Sequence, residues 1–188
     1  MFRRNPFALL ALASLAFTAA CDSGGEARKQ EQVQGATGQS PAGTISRDHA
    51  GEAAPELPFT TMDGKERMLS DFEGRPVLVN LWATWCIPCV KELPALQRLA
   101  DRHGQIALLP IAQDFDGADA VTPFLADNAM SDLVVYLDPD NRWLGKETDT
   151  DVLPTSIYYD ADGKEVWRVV GELDWDGEQA DRLIAEGL

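Results

Sequence analysis

The sequence predicts a single α/β domain over residues 55–188, with a central mixed sheet flanked by helices. The stretch PVLVNLWA at 76–83 is continuously apolar, which is typical of a strand buried on both faces at the centre of a sheet. Strand-like and helix-like stretches then alternate along the chain in the order β-α-β-α-β, followed by β-β-α. With 188 residues and 45% apolar content, the chain can bury one full core.

The first element of this domain is an added N-terminal β-hairpin. Residues 57–69 (LPFTTMDGKERML) contain two extended arms around the turn signal Met62-Asp63-Gly64-Lys65. The central strand is followed by a helix from Cys86 to His103, with leucines at helical spacing and Gly104 as its terminator. The remaining predicted elements are a strand at 106–112, a helix at 118–128, a strand at 133–137, a short helix at 141–146, strands at 155–159 and 165–171, and a last helix at 176–186.

The first 20 residues have the features of an export signal. Arg3-Arg4 precede an apolar run, Pro6–Ala20, that ends in small residues at Cys21. Thr18-Ala19-Ala20-Cys21 resembles a bacterial lipobox, in which the cysteine is acylated and becomes the first residue of the mature protein. The alternative is an uncleaved membrane anchor, but about 15 apolar residues fall short of the roughly 20 that span the hydrocarbon. We therefore expect a lipoprotein signal peptide and a lipid anchor on Cys21.

Residues 21–54 are predicted to be the acylated cysteine and a flexible linker, because this segment is rich in Gly, Ser, Gln and charge and has few large apolar side chains. Such a coil has a reach of about 30 Å. The whole chain carries a formal net charge of −15. This charge disfavours binding to nucleic acids and to anionic lipid surfaces, so the lipid must provide the anchoring.

The segment WATWCIPCVKELP at 82–94 places Cys86 and Cys89 at the start of the predicted helix. Unpaired N–H groups and the positive end of the helix dipole favour a thiolate there, so we expect a lowered pKa for Cys86 and a nucleophilic role. Cys89 lies one turn further on and can attack a mixed disulfide formed by Cys86. Pro88 suits the first turn of a helix because it lacks an N–H that has no partner there.

Other uses of this cysteine pair are less consistent with the sequence. A structural disulfide that closes so short a loop would restrict little chain entropy. A zinc site needs four ligands, and only Cys21, His49 and His103 remain as cysteine or histidine partners. Covalent haem attachment needs a histidine directly after the second cysteine, where the chain has Val90. The pattern therefore favours a redox-active pair, with no metal and no cofactor beyond the disulfide.

The residues around this pair resemble the thioredoxin superfamily and, within it, the TlpA/ResA branch of membrane-anchored extracytoplasmic thiol-disulfide proteins. The resemblance covers about 55–188 and includes the WCIPC motif, the Asn-Leu-Trp-Ala-Thr-Trp lead-in at 80–85, Glu92, and Leu-Pro-Thr-Ser at 153–156. It implies a thioredoxin-like fold with the added hairpin. It also implies a protein-disulfide reductase that uses Cys86 and Cys89.

The resemblance implies roles for further residues. Pro154 matches the family's cis-proline, whose loop packs against the cysteine pair, so Leu153 and Pro154 are expected to contact substrate. Trp85, an aromatic at the end of the central strand, could contact a partner or shield the site, and packing is the alternative. Glu92 lies at i+3 from Cys89 and is expected to be a buried acid/base with a pKa raised towards neutrality. A solvated helix glutamate is the alternative for Glu92. Asn80 occupies the place of thioredoxin's buried acid, so Glu92 is expected to handle the proton instead.

We therefore expect a lipid-anchored, periplasmic, monomeric thiol-disulfide oxidoreductase. It would reduce disulfides in exported proteins, in cytochrome c or cytochrome oxidase copper-site maturation, and would receive electrons from a membrane thiol donor. Two alternatives remain: an oxidant that donates disulfides, because a small potential difference sets the direction, and a copper(I) chaperone that uses the two thiolates as ligands.

Overall fold

The computed structural model describes residues 43–145 and 148–188. Within these ranges the chain forms strands, three α-helices and one short 3-10 helix. In chain order they are β1 (Thr44–Ser46), β2 (Phe59–Thr61), β3 (Glu66–Arg67), the 3-10 helix (Leu69–Phe72), β4 (Val77–Trp82), α1 (Ile87–Arg102), β5 (Ala107–Ala112), α2 (Ala118–Asp127), β6 (Tyr136–Leu137), β7 (Thr155–Tyr159), β8 (Glu165–Val170) and α3 (Glu178–Ala185).

These strands form one mixed sheet in the order β1-β8-β7-β4-β5-β6-β2-β3. Strand β4 lies near the centre, parallel to β5 on one side and antiparallel to β7 on the other. Strands β2 and β3 form an antiparallel hairpin, as the turn signal predicted. The predicted α/β architecture, with a central mixed sheet and an added hairpin, is confirmed.

Strand β4 is buried along its whole length because the core extends over both faces of the sheet. Its odd-numbered residues, Val77, Val79 and Leu81, pack in one apolar cluster with residues of β5 and β7. Leu78 faces the other side and packs in a second cluster with leucines of α1 and with residues of α3. Because side chains alternate along a strand, Asn80 lies on the same face as Leu78, towards α1.

Strand β1 corrects the predicted start of the domain. It lies inside the segment predicted to be a linker, but it pairs antiparallel with β8 at the edge of the sheet. Ile45 packs against the core cluster that contains α3, and Arg47 forms an ion pair with Glu186. The pattern missed this strand because three residues in a polar stretch give little signal. Residues 43–54 therefore belong to the folded unit.

The predicted signal peptide, Cys21 and the rest of the predicted linker lie outside the described residues. Within the described part of the chain, no helix is long and apolar enough to cross a membrane.

Two short predicted elements also differ from the structure. Residues 141–145 form turns instead of the predicted helix, because Asn141 has a φ of 51° and the Asp138 carboxylate accepts the Trp143 N–H at 2.7 Å. The strand predicted at 133–137 is paired only at Tyr136–Leu137. The residues before this pair lie outside the sheet and follow a turn in which the Leu133 N–H donates a hydrogen bond to the Met130 carbonyl.

Truncation tests the corrected domain boundary. A chain that begins at residue 55 should unfold at a lower urea concentration than one that begins at residue 43, with a loss of roughly 2 kcal/mol from the missing strand pairing and Ile45 burial. Urea denaturation followed by tryptophan fluorescence measures the difference. Equal midpoints for the two chains would mean that β1 adds nothing to the fold.

Candidate functional site

The two cysteines lie where strand β4 passes into helix α1. Cys86 is the N-cap residue of α1, and its Sγ accepts a hydrogen bond from the Cys89 N–H at 3.4 Å. The two residues form a disulfide and both are buried. Pro88 occupies the first turn, as predicted. The place of Cys86 at the helix N-terminus is the one for which the sequence predicts a thiolate after reduction, and that thiolate stays a prediction.

A buried acid holds the loop that leads to Cys86. Asp114 follows β5, and its carboxylate accepts the Thr84 N–H at 3.0 Å and the Thr84 hydroxyl at 2.6 Å. Asp114 is itself 4% exposed, so this contact is shielded from water. The carboxylate therefore fixes the backbone just before the helix start and ties the cysteine loop to the neighbouring strand. No short-range pattern in the sequence predicts this role for Asp114.

Glu92 lies one helical turn after Cys89, on the buried face of α1, and is 6% exposed. One of its carboxyl oxygens accepts a hydrogen bond from Asn80 Nδ2 at 2.9 Å. The other accepts one from Trp175 Nε1 at 3.0 Å, and the Leu173 backbone is a third partner. The prediction that Glu92 is buried is confirmed, and the solvated alternative is excluded.

Burial raises the pKa of Glu92 from 4.5 to about 7, and the negative charge of Glu172 adds to this increase. The hydrogen bonds from Trp175, Asn80 and Leu173 act in the opposite direction, because they stabilise the ionised form. A carboxyl with this pKa can both accept and release a proton near neutral pH, where general acid/base groups are most effective.

The loop before strand β7 lies at the same edge of the sheet as the cysteines. The Leu153–Pro154 peptide bond is cis, which confirms the conformation expected of Pro154. Leu153 is half-buried and packs against the apolar cluster that contains both cysteines. The Pro154 carbonyl accepts a hydrogen bond from the Gly171 N–H, so this loop is joined to the segment after β8.

Large apolar side chains are exposed around the disulfide. Trp85, predicted to contact substrate, is 66% exposed, and Ile87, which lies between the cysteines, is exposed to a similar degree. Phe115, which follows Asp114, is 76% exposed, and Val152 lies beside Leu153 and is also exposed. Exposed apolar residues grouped at one place mark an interaction surface. Phe115 and Val152 could not be predicted from the sequence, because their exposure depends on the loops that carry them.

The structure brings the predicted site residues together at one edge of the sheet: Trp85, Cys86, Cys89, Glu92, Leu153 and Pro154. Their catalytic and substrate-binding roles remain predictions. Cys21 lies outside the described residues. Among residues 43–145 and 148–188, no group of three or more His, Cys, Asp or Glu side chains could hold a metal ion.

Comparison with known proteins places this chain among thiol-disulfide proteins. The Redoxin family matches residues 49–184. Thiol-disulfide oxidoreductase ResA of Bacillus anthracis is 33% identical over 122 residues, which are 65% of this chain and 70% of that protein.

Two solved structures are similar over most of the described chain. The exposed lipoprotein thioredoxin Etrx1 of Streptococcus pneumoniae strain TIGR4 is 26% identical, with a TM-score of 0.56 over 70% of this chain and 99% of that one. A secreted disulfide oxidoreductase of Mycobacterium tuberculosis is 23% identical, with a TM-score of 0.56 over 69% of this chain and 96% of that one. The second similarity shows the fold alone.

The raised pKa of Glu92 predicts a pH-dependent stability. Glu92 binds its proton more tightly in the folded protein than in the unfolded chain. The contribution of the protonated carboxyl to the free energy of unfolding is therefore fully present below about pH 4.5 and is lost as the pH rises through about 7. Relative to Glu92→Gln, which does not titrate, the wild type should lose about 3 kcal/mol of stability across this range.

Urea unfolding of both proteins at a series of pH values measures this difference. Glu178→Gln, on an exposed glutamate of α3, is the matched control and should follow the wild type. Parallel curves for the wild type and Glu92→Gln would contradict the raised pKa.

Proposed function

Since the chain belongs to the Redoxin family and is a ResA-like thiol-disulfide oxidoreductase of the thioredoxin superfamily, we propose that it reduces disulfides in exported proteins. The predicted family, the thioredoxin-like fold and the enzyme class are confirmed. The observation that carries the proposal is a buried carboxyl, Glu92, one helical turn from Cys89 at the start of α1. This arrangement provides a nucleophile, a resolving thiol and a proton acceptor at one place.

The reaction begins with the reduced pair. The Cys86 thiolate attacks a substrate disulfide, forms a mixed disulfide and releases the first substrate sulfur as a thiolate. Cys89 then gives its proton to the Glu92 carboxylate and attacks the Cys86 sulfur. This step re-forms the Cys86–Cys89 disulfide and releases the second substrate sulfur as a thiolate. Two electrons pass from the cysteine pair to the substrate.

The substrate in this proposal is a protein segment that lies on the exposed apolar residues around the disulfide. Trp85 would contact apolar side chains near the substrate cysteine, together with Phe115 and Val152, which are also exposed. Leu153 would offer backbone groups to an extended chain, and Pro154, whose carbonyl already accepts the Gly171 N–H, would hold this loop in place. We propose apocytochrome c haem-site cysteines or cytochrome oxidase copper-site cysteines as the physiological targets, on the strength of the resemblance to the ResA branch.

The reducing direction is supported by the short connections of the fold. Between β5 and β6 the described chain forms only the ten-residue helix α2 and turns. It lacks the large helical insertion that is found in the dedicated disulfide-donating oxidant of the superfamily. A copper(I) chaperone is less consistent with the geometry. His103 lies at the C-cap of α1, at the far end of the helix from Cys86, and its Nε2 contacts Asp181 at 2.8 Å.

We further propose that the domain works outside the cytoplasm, in the periplasm, held by a lipid on Cys21 and reduced again by a membrane thiol donor. The lipobox-like residues at 18–21 support the anchor. The similarity to a protein described as an exposed lipoprotein thioredoxin agrees with it.

The cysteine variants test the reaction. Cys86→Ser should abolish insulin reduction, because the attacking sulfur is lost. Cys89→Ser should retain a mixed disulfide with its substrate, because the resolving sulfur is lost. Mass spectrometry of the trapped species from intact cells then identifies the substrate. An unchanged rate of insulin reduction by Cys86→Ser would remove the proposed mechanism.

A redox titration of the purified protein against glutathione decides whether the protein reduces disulfides or donates them. A midpoint potential below that of the glutathione couple supports the reductase. A midpoint above it assigns the protein to the disulfide-donating class.

Substitution of Trp85 tests the proposed docking surface. Trp85→Ala should raise the KM for a protein disulfide about tenfold, because loss of an aromatic contact that becomes buried on binding weakens binding by about 1.4 kcal/mol. The rate with a small disulfide such as oxidised glutathione should stay the same. Val134→Ala is the matched control, since Val134 is equally exposed and precedes β6 at the opposite edge of the sheet. Equal losses with both substrates would indicate a disturbed cysteine loop instead of a docking contact.

A further inference from the structure

The Asn80 side-chain amide lies between two buried groups that can each donate or accept a hydrogen bond. Its Nδ2 donates to Glu92 Oε1 at 2.9 Å and to Ser156 Oγ at 3.0 Å. Asn80 is fully buried, and Ser156 lies opposite it on strand β7 and is buried as well. Both hydrogens of the amide nitrogen are therefore used, one on each neighbour.

The oxygen of the same amide is unused. Asn80 Oδ1 is closed to solvent and has no hydrogen-bond partner among the described residues. A buried polar atom without a partner costs free energy, and such atoms are rare in folded proteins. The amide therefore brings to this site an acceptor that no described group uses while Nδ2 faces Glu92.

A protonated Glu92 needs an acceptor of this kind. Its Oε2 accepts the N–H of Trp175 at 3.0 Å, and an indole nitrogen can only donate. The proton of a neutral Glu92 is therefore best placed on Oε1, the oxygen that faces Asn80. In the present orientation the amide brings a hydrogen to Oε1 and not a lone pair, so it cannot accept the carboxyl O–H.

We propose that the Asn80 amide turns about its Cβ–Cγ bond when Glu92 takes up a proton, so that it donates to the carboxylate and accepts from the carboxylic acid. A half-turn exchanges Nδ2 and Oδ1, which are similar in size. Oδ1 then accepts the O–H of Glu92 and the O–H of Ser156, since a serine hydroxyl donates as well as accepts. One end of the amide has no partner in either orientation, so the number of hydrogen bonds favours neither protonation state.

This inference deepens the proposed function and rests on it for its part in turnover. In the resolving step Cys89 gives its proton to Glu92, and Glu92 must release that proton before the next turnover. The carboxyl is thus ionised and neutral in turn during each cycle. Asn80 holds it by a hydrogen bond in both states and neither gains nor loses a proton itself. Because Asn80 acts through Glu92, it is a positioning residue.

The titratable groups that face Glu92 within the described chain come from three elements. Helix α1 carries Cys89, which does not titrate while it is in the disulfide. Strand β7 carries Tyr158, and burial raises its pKa to about 12, so it stays neutral. The loop after β8 carries Glu172, whose negative charge favours the protonated form of Glu92. Strand β8 and helix α3 pack at this face of the sheet through apolar side chains.

Neutron diffraction from deuterated crystals of the oxidised full chain measures the orientation of the amide. About two pH units above the Glu92 pKa of about 7, the deuterons of Asn80 should point at Glu92 and Ser156. About two units below that pKa, a deuteron should lie on Glu92 Oε1, and Asn80 Oδ1 should face it. An amide that keeps one orientation at both pH values would overturn the proposal.

Two controls belong to this measurement. Asn128 Nδ2 donates to the Phe124 carbonyl at 2.8 Å, and a carbonyl does not titrate, so this amide should keep its orientation at both pH values. In Glu92→Gln, the Asn80 amide should also have one orientation throughout, because its neighbour no longer titrates. A pH-dependent turn of Asn80 in Glu92→Gln would assign the turn to another group and contradict the proposal.

Two variants distinguish an amide that turns from a fixed donor. Carboxyl ¹³C NMR of the oxidised protein follows the titration of Glu92. Trp175→Phe removes a donor that cannot change its role and should raise the midpoint by about one pH unit. Asn80→Leu removes a group that serves both protonation states and should raise the midpoint by less than about half as much. Equal shifts in the two variants would show that Asn80 is only a donor to the ionised form.

Reduction of insulin separates the failure of this inference from the failure of the proposed function. Single-turnover reduction by Asn80→Leu should be about tenfold slower than by the wild type near the pKa of Glu92. The double variant with Glu92→Gln should be no slower than Glu92→Gln alone. An unchanged rate for Asn80→Leu would overturn the positioning role. A wild type that does not reduce insulin contradicts the proposed function, while the turn of the amide is decided by diffraction without any substrate.

Discussion

The site depends on a carboxyl that the fold buries and then supplies with hydrogen-bond donors. An isolated ionised carboxylate in a protein interior costs several kcal/mol. Glu92 offsets part of this cost through Asn80 Nδ2, Trp175 Nε1 and the Leu173 backbone. Desolvation outweighs these donors, so the pKa rises from 4.5 to about 7, and the group is neither firmly ionised nor firmly neutral at physiological pH. A pKa in this range suits a group that exchanges protons.

The topology of the sheet explains why these groups meet. Strands β4 and β5 run parallel, so the segments that follow them, which carry Cys86 and Asp114, emerge at the same edge. Strand β7 runs antiparallel to β4, so its start, which carries Pro154, lies at that edge as well. The disulfide, its supporting carboxylate and the cis-proline loop therefore come together from three neighbouring strands. A register shift of one residue in β4 would turn Asn80 away from α1 and remove a donor from Glu92.

The parts of the site that are local in sequence could be predicted, and the parts that depend on distant segments could not. The apolar run at 76–83, the cysteine spacing and the i+3 position of Glu92 are short-range patterns, and the structure agrees with each of them. Trp175 and Leu173 reach Glu92 from the far end of the chain, and no periodicity indicates such a contact. Strand β1 was missed because an edge strand of three residues gains its stability from β8 and not from its own pattern. The family resemblance supplied the cis-proline, which the sequence pattern alone does not reveal.

In the proposed reaction, electron transfer and proton transfer are linked, because Cys89 gives its proton to Glu92 as the disulfide re-forms. In the oxidised protein Glu92 has no neighbouring thiol, and its proton affinity is set by burial, its donors and Glu172. Reduction would add the Cys89 thiol one helical turn away. Two negative charges together in this pocket would be unfavourable, so each ionisation suppresses the next. In the proposed reaction, the Cys89 thiol forms when the pair is reduced, and its proton leaves through Glu92 when the disulfide re-forms. A buried carboxyl with a pKa near neutrality lets this exchange occur with little change in the charge of the core.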